Sequence, residues 1–451
     1  MDGRVNSLTF SLQYAIFVLK GSLNTFVNAM TFDDLTAYIC ASRNNADMKN
    51  LMSVYMDAVF QPLVIEDEGK WIFRQEGWRI EMNVSGEPEY NGVVLSEMKG
   101  ALSNPDEIMD EYVTAQMFPN TTYRFNSGGD PKVIPELTHR ELQEFYKTFY
   151  HPSNAQVFLY GTKTSAENCL RNLDEYLATY EPRPDIREQS KIELQPLLDI
   201  QPKKQTIPFS SDDEDGNHQF RMSWMISGDG KMGDDFQKEN RVMYIVLEEM
   251  LMNEKTGVLY RALQDSGLGG SVDGGVEQGL QQWTFDLQVN NVNGTDIQTL
   301  EDLVHSTLQQ IVKKGFHDQD IAAAMNSVEF KNRDISSDTE PRGILLWMSV
   351  IETWKFDLDP LTGFLSFEDD FRDLKQKLGR HGSDLFVKIV KENLIENEHS
   401  VVIDMYPDTE LAHKNAEVSV GSSWKAAKLA LEPWPHLTSR SMTTRRSKLV
   451  L

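Results

Sequence analysis

The sequence is poor in the residue that builds disulfide frameworks and thiolate metal sites. It contains two cysteines, Cys40 and Cys169, among 451 residues. Two cysteines exclude a disulfide scaffold and a cysteine-rich zinc site, and they are typical of a protein from a reducing compartment. We predict that both are ordinary buried thiols.

The sequence also lacks an apolar run of transmembrane length and an excess of basic residues. An uncharged stretch over 5–19 is shorter than the ~20 apolar residues that a transmembrane helix needs, so we predict no membrane span. The 44 Lys and Arg residues face 69 Asp and Glu residues, for a formal net charge of −25. Because phosphate contacts need a basic face, this balance argues against a nucleic-acid partner.

Histidine pairs with the spacing of zinc enzymes are missing as well. No two of the nine histidines lie three to five residues apart, the spacing that lets one helix or turn present two zinc ligands. The segment IENEH at Ile395–His399 would be the inverted zincin motif H-x-x-E-H if its first residue were histidine. We interpret it as the solvated end of a helix, and we assign no catalytic residue.

The chain does have enough apolar material for two or three cores. Hydrophobic residues make up 40% of it, and chains usually divide at roughly 100–200 residues per domain. Apolar residues at helical spacing and capping signals predict helices over 46–60, from Thr138, from Thr164 and over 296–314. Alternating or β-rich runs predict strands over 155–161, 220–226, 283–289 and 401–405.

These elements fall into two blocks on either side of a proline-rich, acidic stretch. We predict an atypical N-terminal segment, a first αβ domain, a linker, a second αβ domain and a basic tail, over 1–19, 20–183, 184–216, 217–420 and 421–451. The tail carries a net charge of +5, against −30 for the rest of the chain. Because it lacks apolar periodicity, we expect the tail to be disordered.

Six sequence strings indicate a resemblance to a known family, which the patterns above do not. In chain order they are KGSLNTFVNAMT at 20–31, VYMDAVF at 54–60, QEGW at 75–78, GVVLSEMKG at 92–100, SGGDP at 127–131 and HPSNA at 151–155. In order and spacing they resemble the presequence protease group of the pitrilysin-type zinc metallopeptidases. The resemblance is closest over 20–161 and looser over 217–415.

The resemblance implies an α+β fold of two homologous pitrilysin-type domains, similar to those of the mitochondrial processing peptidase. Each would carry an antiparallel-rich sheet covered by helices, and the first domain, over 20–183, would be truncated at its start. The family degrades unfolded peptides, such as cleaved targeting presequences, in the mitochondrial matrix or the plastid stroma. Its zinc is held by the two histidines of H-x-x-E-H and a distant glutamate, and the motif's own glutamate is the general base.

The resemblance assigns two groups of site residues. Glu97 in SEMKG matches the distant zinc-ligand glutamate, although outside this string it would be an ordinary helix-surface carboxylate. Asn24, Thr25, Asn28 and Ala29 resemble a segment that lines the substrate cleft. Ordinary packing residues are an equally good interpretation of these four.

The H-x-x-E-H motif of the family would fall before Met1, so two zinc ligands and the general base are absent from this sequence. We therefore expect this chain as it stands to retain no zinc and to hydrolyse no peptide. Two hypotheses follow. The chain is the N-terminal half of such a peptidase, a fragment without its leading segment and its C-terminal half. Alternatively, it is a non-catalytic subunit that binds peptides or pairs with a catalytic pitrilysin-type partner.

Overall fold

A computed structural model describes seven stretches of the chain: 24–84, 86–211, 217–226, 234–334, 341–361, 365 and 367–411. Side chains are described from residue 26 onward, except over 234–240. These stretches mix helices with strands, as the predicted α+β class requires. The predicted N-terminal segment 1–19 and the tail 421–451 lie outside the described residues.

The first block combines short antiparallel ribbons with helices. Its strands pair as β1 (Asn24–Thr31) with β2 (Thr36–Ser42), and as β3 (Arg79–Met82) with β4 (Pro88–Asn91). Its helices are α1 (Asn45–Phe60), α2 (Lys70–Glu76), α3 (Val93–Ala101), α4 (Pro105–Met117), α5 (His139–Phe149), α6 (Lys163–Leu177) and α7 (Pro184–Gln189). The predicted helix over 46–60 and the helix that starts at Thr138 are confirmed.

The capping box predicted at Thr138 is present in the structure. Thr138 Oγ1 accepts a hydrogen bond from the N–H of Glu141 at 3.3 Å, and Glu141 Oε2 accepts one from the N–H of Thr138 at 2.8 Å. Two backbone donors that the helix itself cannot satisfy thereby find acceptors. This local sequence signal therefore sets the start of α5.

The strand predicted over 155–161 is wrong, because this segment pairs with no strand among the described residues. Its first residue, Ala155, donates its backbone N–H to Pro152 O at 3.1 Å, which is a turn contact and not a strand pairing. Val157, Phe158 and Tyr160 give the segment the composition of a strand. Composition supplies the preference only, whereas a strand also needs a neighbour with which to pair.

The second block is built on a five-stranded mixed sheet. The strand order is β5 (Lys204–Ser210), β9 (Ser400–Asp408), β6 (His218–Met225), β8 (Thr284–Val292) and β7 (Ser271–Glu277), with β5 parallel to β9 and the other pairs antiparallel. The helices are α8 (Asp234–Met252), α9 (Val258–Ser266), α10 (Ile297–Lys314), α11 (Asp318–Arg333), α12 (Arg342–Trp354), α13 (Phe367–His381) and α14 (Asp384–Val390). The strands predicted over 220–226, 283–289 and 401–405 are present.

The described part of 184–216 differs from a plain linker, since it contains α7 and β5. Lys204–Ser210 pairs in register with Val402–Asp408 of β9. Pro208 is tolerated because β5 is an edge strand, where a missing N–H can face away from the ladder. This stretch therefore contributes an edge to the second sheet.

Two apolar clusters cover the two faces of that sheet. Phe220, Met222 and Trp224 alternate along β6 and point into a core shared with α8, α9 and α10. Ile403 and Met405 of β9 face the other way, against buried residues of α4. Because α4 belongs to the first block, this second cluster packs the two blocks against each other.

None of the described helices combines the length and the hydropathy that crossing a membrane requires.

Candidate functional site

Glu97 lies on the exposed face of α3. Val94 and Leu95 of the same helix are 4% and 0% exposed and pack with Trp78 and Ile134 in a small apolar cluster. Burying side chains of this size contributes roughly 1.5–3 kcal/mol each. The cluster fixes the helix to the body of the protein and leaves the Glu97 carboxylate facing solvent.

The start of α3 is held against the end of α2 by a close backbone approach at Gly92. A Cβ atom at Gly92 would lie 2.1 Å from the carbonyl oxygen of Gly77 and 2.8 Å from the Cα atom of Trp78. No larger residue fits without moving this backbone, so the approach depends on glycine. It brings together the strings QEGW and GVVLSEMKG, which are apart in the sequence.

Glu76, the last residue of α2, feels the charge of Glu97. Burial is the main cause that raises the pKa of the half-buried Glu76, repulsion from Glu97 raises it further, and Arg79 opposes both. No sequence motif marks Glu76 as a site residue. Its position next to Glu97 follows from the contact at Gly92, which no local pattern signals.

These two carboxylates do not fit a catalytic zinc ion by themselves. Such an ion takes three protein ligands, commonly with histidine among them. In the described stretches no three His, Cys, Asp or Glu side chains come together in a metal-binding group. The buried His139 is directed elsewhere, with its Nε2 2.6 Å from the carbonyl oxygen of Val64. Glu76 and Glu97 alone therefore do not make a catalytic zinc site.

The interpretation of IENEH as a solvated helix end is wrong for its histidine. Lys391–Ile395 forms a last helical turn, but His399 is 1% exposed. Its Nδ1 accepts from the N–H of Leu198 at 3.1 Å, and its Nε2 donates to the carbonyl oxygen of Met117 at 2.9 Å. Both bonds are satisfied by the neutral imidazole, and burial lowers the pKa of His399. This histidine joins three segments of the fold.

The four residues that resemble the family's cleft segment all belong to β1. Asn24 and Thr25 are described by their backbone alone. Asn28 is exposed, its carbonyl oxygen accepts from the Tyr55 hydroxyl at 3.3 Å, and its Oδ1 accepts from the N–H of Ala29 at 2.9 Å. The hydrogen bonds and ion pairs found in the described stretches include none from Asn28 or Ala29 to Glu97, and their role in a groove stays a prediction.

A cavity of about 1840 Å³ lies beside β2. Its walls come from β2, α1, α6, α12 and the segment 154–161. Glu97 and Asn28 are not among its lining residues, so the cavity is separate from the predicted site. Cys40 and Cys169 both line it as free, half-buried thiols, and burial raises the pKa of Cys40 to about 12.

The fold defines the class: an α+β protein in which a helix-covered five-stranded mixed sheet packs against a body of short antiparallel ribbons and helices. The sequence signature of the peptidase M16 inactive domain matches residues 136–328. Presequence protease 1, chloroplastic/mitochondrial, of Arabidopsis thaliana is 36% identical over 401 residues, which cover 88% of this chain and 36% of that protein. Protein HypA of Clostridium perfringens is 34% identical over 406 residues, or 88% of this chain and 40% of that protein. The chain is similar to peptidase M16 proteins over most of its length, and the resemblance to the presequence proteases is confirmed.

Solved structures confirm the pitrilysin-type α+β fold. A protease from Helicobacter pylori superimposes with a TM-score of 0.64 at 12% identity and covers 90% of both chains. The first half of the periplasmic protease PqqL from Escherichia coli gives a TM-score of 0.58 at 12% identity, over 95% of this chain and 84% of that one. The chain spans about two fifths or less of the length of the two curated relatives above.

Proposed function

We propose that this chain is a non-catalytic half of a presequence-protease-type peptidase, and that it takes part in hydrolysis of unfolded peptides only with a polypeptide that carries H-x-x-E-H. The observation that carries this proposal is the placement of Glu97. This glutamate lies in the family's SEMKG-like string, on the solvent-facing side of an anchored helix and beside Glu76. The sequence contains no H-x-x-E-H to complete a zinc site.

The division of labour follows from what each part can do. A zinc ion bound by two histidines and a glutamate lowers the pKa of its water towards neutrality and polarises the scissile carbonyl. In this proposal Glu97 supplies the carboxylate ligand, and Glu76 adds negative charge next to it. The net charge of −25 favours cationic peptides, the chemistry of many targeting sequences. An organellar location remains a prediction, because the relatives include bacterial proteins as well as mitochondrial and chloroplastic ones.

A second candidate is a peptide-binding subunit that never takes part in a zinc site. The match to an inactive peptidase domain over 136–328 favours it. Affinity purification separates the two candidates. A stable partner that carries H-x-x-E-H supports the first, whereas peptide binding without such a partner supports the second.

The test of the first candidate is a reconstitution with three samples. A fluorogenic unfolded peptide is incubated with this chain, with a recombinant polypeptide that carries the family's H-x-x-E-H segment, and with the mixture, each with zinc and with a chelator. We expect chelator-sensitive turnover in the mixture alone. Glu97→Gln should lower that turnover by about 100-fold or more, while Glu107→Gln, an exposed carboxylate on α4, should leave it unchanged.

A further inference from the structure

The cavity beside β2 is lined in two different ways. Helix α1 contributes residues spaced as on one helix face: Met48, Met52, Tyr55, Met56 and Val59. In contrast, residues 33–43 and 154–161 line the cavity without a gap. Side chains of an extended chain alternate between two faces, so a continuous run means that the backbone edge itself faces the cavity.

Neither of these edges has a strand partner within the described stretches. There β2 pairs with β1 and with no other strand. From Gln156 to Gly161, no backbone N–H or C=O forms a backbone hydrogen bond to another described residue. Val157 and Tyr160 are 42% and 58% exposed, although the run has the composition of a buried strand. An edge of unpaired backbone groups is a template for the addition of a strand.

The two edges run in the same direction. At one end, the C terminus of α12 contacts both edges. Trp354 O accepts a hydrogen bond from Gln156 Nε2 at 2.8 Å, and Lys355, the next residue, pairs with Asp34 just before β2. At the other end, Ser165 Oγ donates to Asn45 Oδ1 at 3.2 Å. A strand that runs in the opposite direction between the edges is antiparallel to both, the arrangement with the better hydrogen-bond geometry.

The walls define the chemistry of the occupant. About 1840 Å³ exceeds the roughly 300–1,000 Å³ of small-molecule sites. Neither Thr36–Ser42 nor 155–161 contains a charged residue, and the charged residues of the lining, such as Arg124, Arg187 and Arg342, stand in other segments. An occupant charge directly between the two edges would therefore find no counter-charge on either edge. The curated relatives carry the matching region inside polypeptides more than twice as long as this chain's match. In those proteins, further polypeptide accompanies this body.

We propose that the cavity binds an uncharged, extended segment of another polypeptide, which adds as a strand antiparallel to β2 and to residues 156–161. The segment satisfies both backbone edges and covers the exposed Val157 and Tyr160. This inference goes beyond the proposed peptidase function and shares with it only the need for a second polypeptide. The strand completes the first block at a place that neither Glu76 nor Glu97 lines.

Hydrogen exchange of the full chain, read by mass spectrometry, tests the proposal. The probe is an acetylated and amidated peptide of alternating threonine and valine, about eight residues long, a usual strand length. At saturation, amide exchange over 36–42 and 156–161 should slow by on the order of tenfold. A matched peptide with two central valines replaced by aspartate should leave exchange over these residues unchanged. Neither peptide should change amide exchange in β5 and β9, which serve as the control region.

Two valine-to-lysine substitutions test whether the protection depends on the cavity wall. Val157→Lys places a charge in the cavity wall and should abolish the protection by the valine peptide. Val133→Lys replaces a valine of similar exposure, 43% against 42%, that does not line the cavity, and the protection should remain. The unfolding midpoints of the two variants are measured first, so that a difference in protection is not caused by a difference in stability.

Three results overturn the proposal. The first is no slowing with the valine peptide, and the second is equal slowing with the aspartate peptide or in Val157→Lys. The third is slow exchange at both edges before any peptide is added, which assigns the cavity to residues of the chain itself or, if it depends on concentration, to a second copy. Exchange reports on the cavity alone, so its outcome is independent of turnover in the reconstituted mixture.

Discussion

Lys355 Nζ lies 2.7 Å from Asp34 Oδ1, and the two side chains are 10% and 5% exposed. Tyr123 donates its hydroxyl to Asp34 Oδ2 at 2.9 Å, and Lys355 also donates to the carbonyl oxygen of Gly279 at 2.5 Å. The pair joins the turn between β1 and β2 to the residue that follows α12. It therefore ties the two blocks together at the rim of the cavity.

Asp34→Asn should destabilise the protein strongly. Removal of one partner leaves the Lys355 charge buried without a counter-charge, which costs about 3–5 kcal/mol in such sites. Denaturant unfolding measures the loss. Asp174→Asn, an exposed carboxylate on α6, is the control and should stay within about 0.5 kcal/mol of the parent. A loss below about 1 kcal/mol for Asp34→Asn would show that the pair is solvated and not structural.

Gly92→Ala should also destabilise, because the new Cβ meets the carbonyl oxygen of Gly77. We expect a loss of about 1–3 kcal/mol in the free energy of unfolding. Gly100 lies within α3, the helix that begins just after Gly92, and no atom lies within 4 Å of a Cβ added there. Gly100→Ala should therefore stabilise the protein by about 0.4–1 kcal/mol. Equal effects of the two substitutions would argue against the close approach of α2 and α3.

Glu97→Gln should lower the pKa of Glu76. Repulsion from Glu97 contributes to the raised value, next to the larger effect of burial. Titration of the side-chain carboxyl by carbon-detected NMR measures the shift, and Glu107→Gln serves as the control. Because a raised carboxyl pKa penalises the charged form in the folded state, Glu97→Gln should also increase stability at neutral pH. An unchanged Glu76 titration would mean that the two carboxylates are too far apart to form one site.

Acidification should destabilise the fold through His399. Burial lowers its pKa from the ordinary 6.5, so below that pH the unfolded chain takes up the proton before the folded one does. The free energy of unfolding therefore falls as pH drops from about 6.5 towards the lowered value. His399→Gln should flatten this slope at a cost in overall stability, whereas the exposed His381→Gln should keep the slope of the parent. A parent-like slope in His399→Gln assigns the acid sensitivity to other groups.

Local patterns predicted the elements whose causes are local. Alternation of Phe220, Met222 and Trp224 reports which side of β6 is buried, and the Thr138 capping box sets the start of α5 through residues three apart. Partners distant in sequence could not be predicted in the same way. Strand β5 lies in a proline-rich stretch and gains its register from β9, about 200 residues later.

The same distinction between local patterns and contacts distant in sequence applies to the candidate site. The family strings located Glu97, because a ligand's place in a motif is encoded by the residues around it. Glu76 was missed, since its position depends on the contact between Gly77 and Gly92. The strand predicted over 155–161 was wrong because the run carries strand propensity but no described neighbour pairs with it.

Metal content and peptide turnover of the purified full chain test the central claim most directly. The chain is loaded with zinc, freed of excess metal by desalting, analysed by mass spectrometry of metals, and assayed on a fluorogenic unfolded peptide with and without chelator. The account predicts zinc well below one equivalent and no chelator-sensitive turnover. About one equivalent of retained zinc with chelator-sensitive hydrolysis would contradict it.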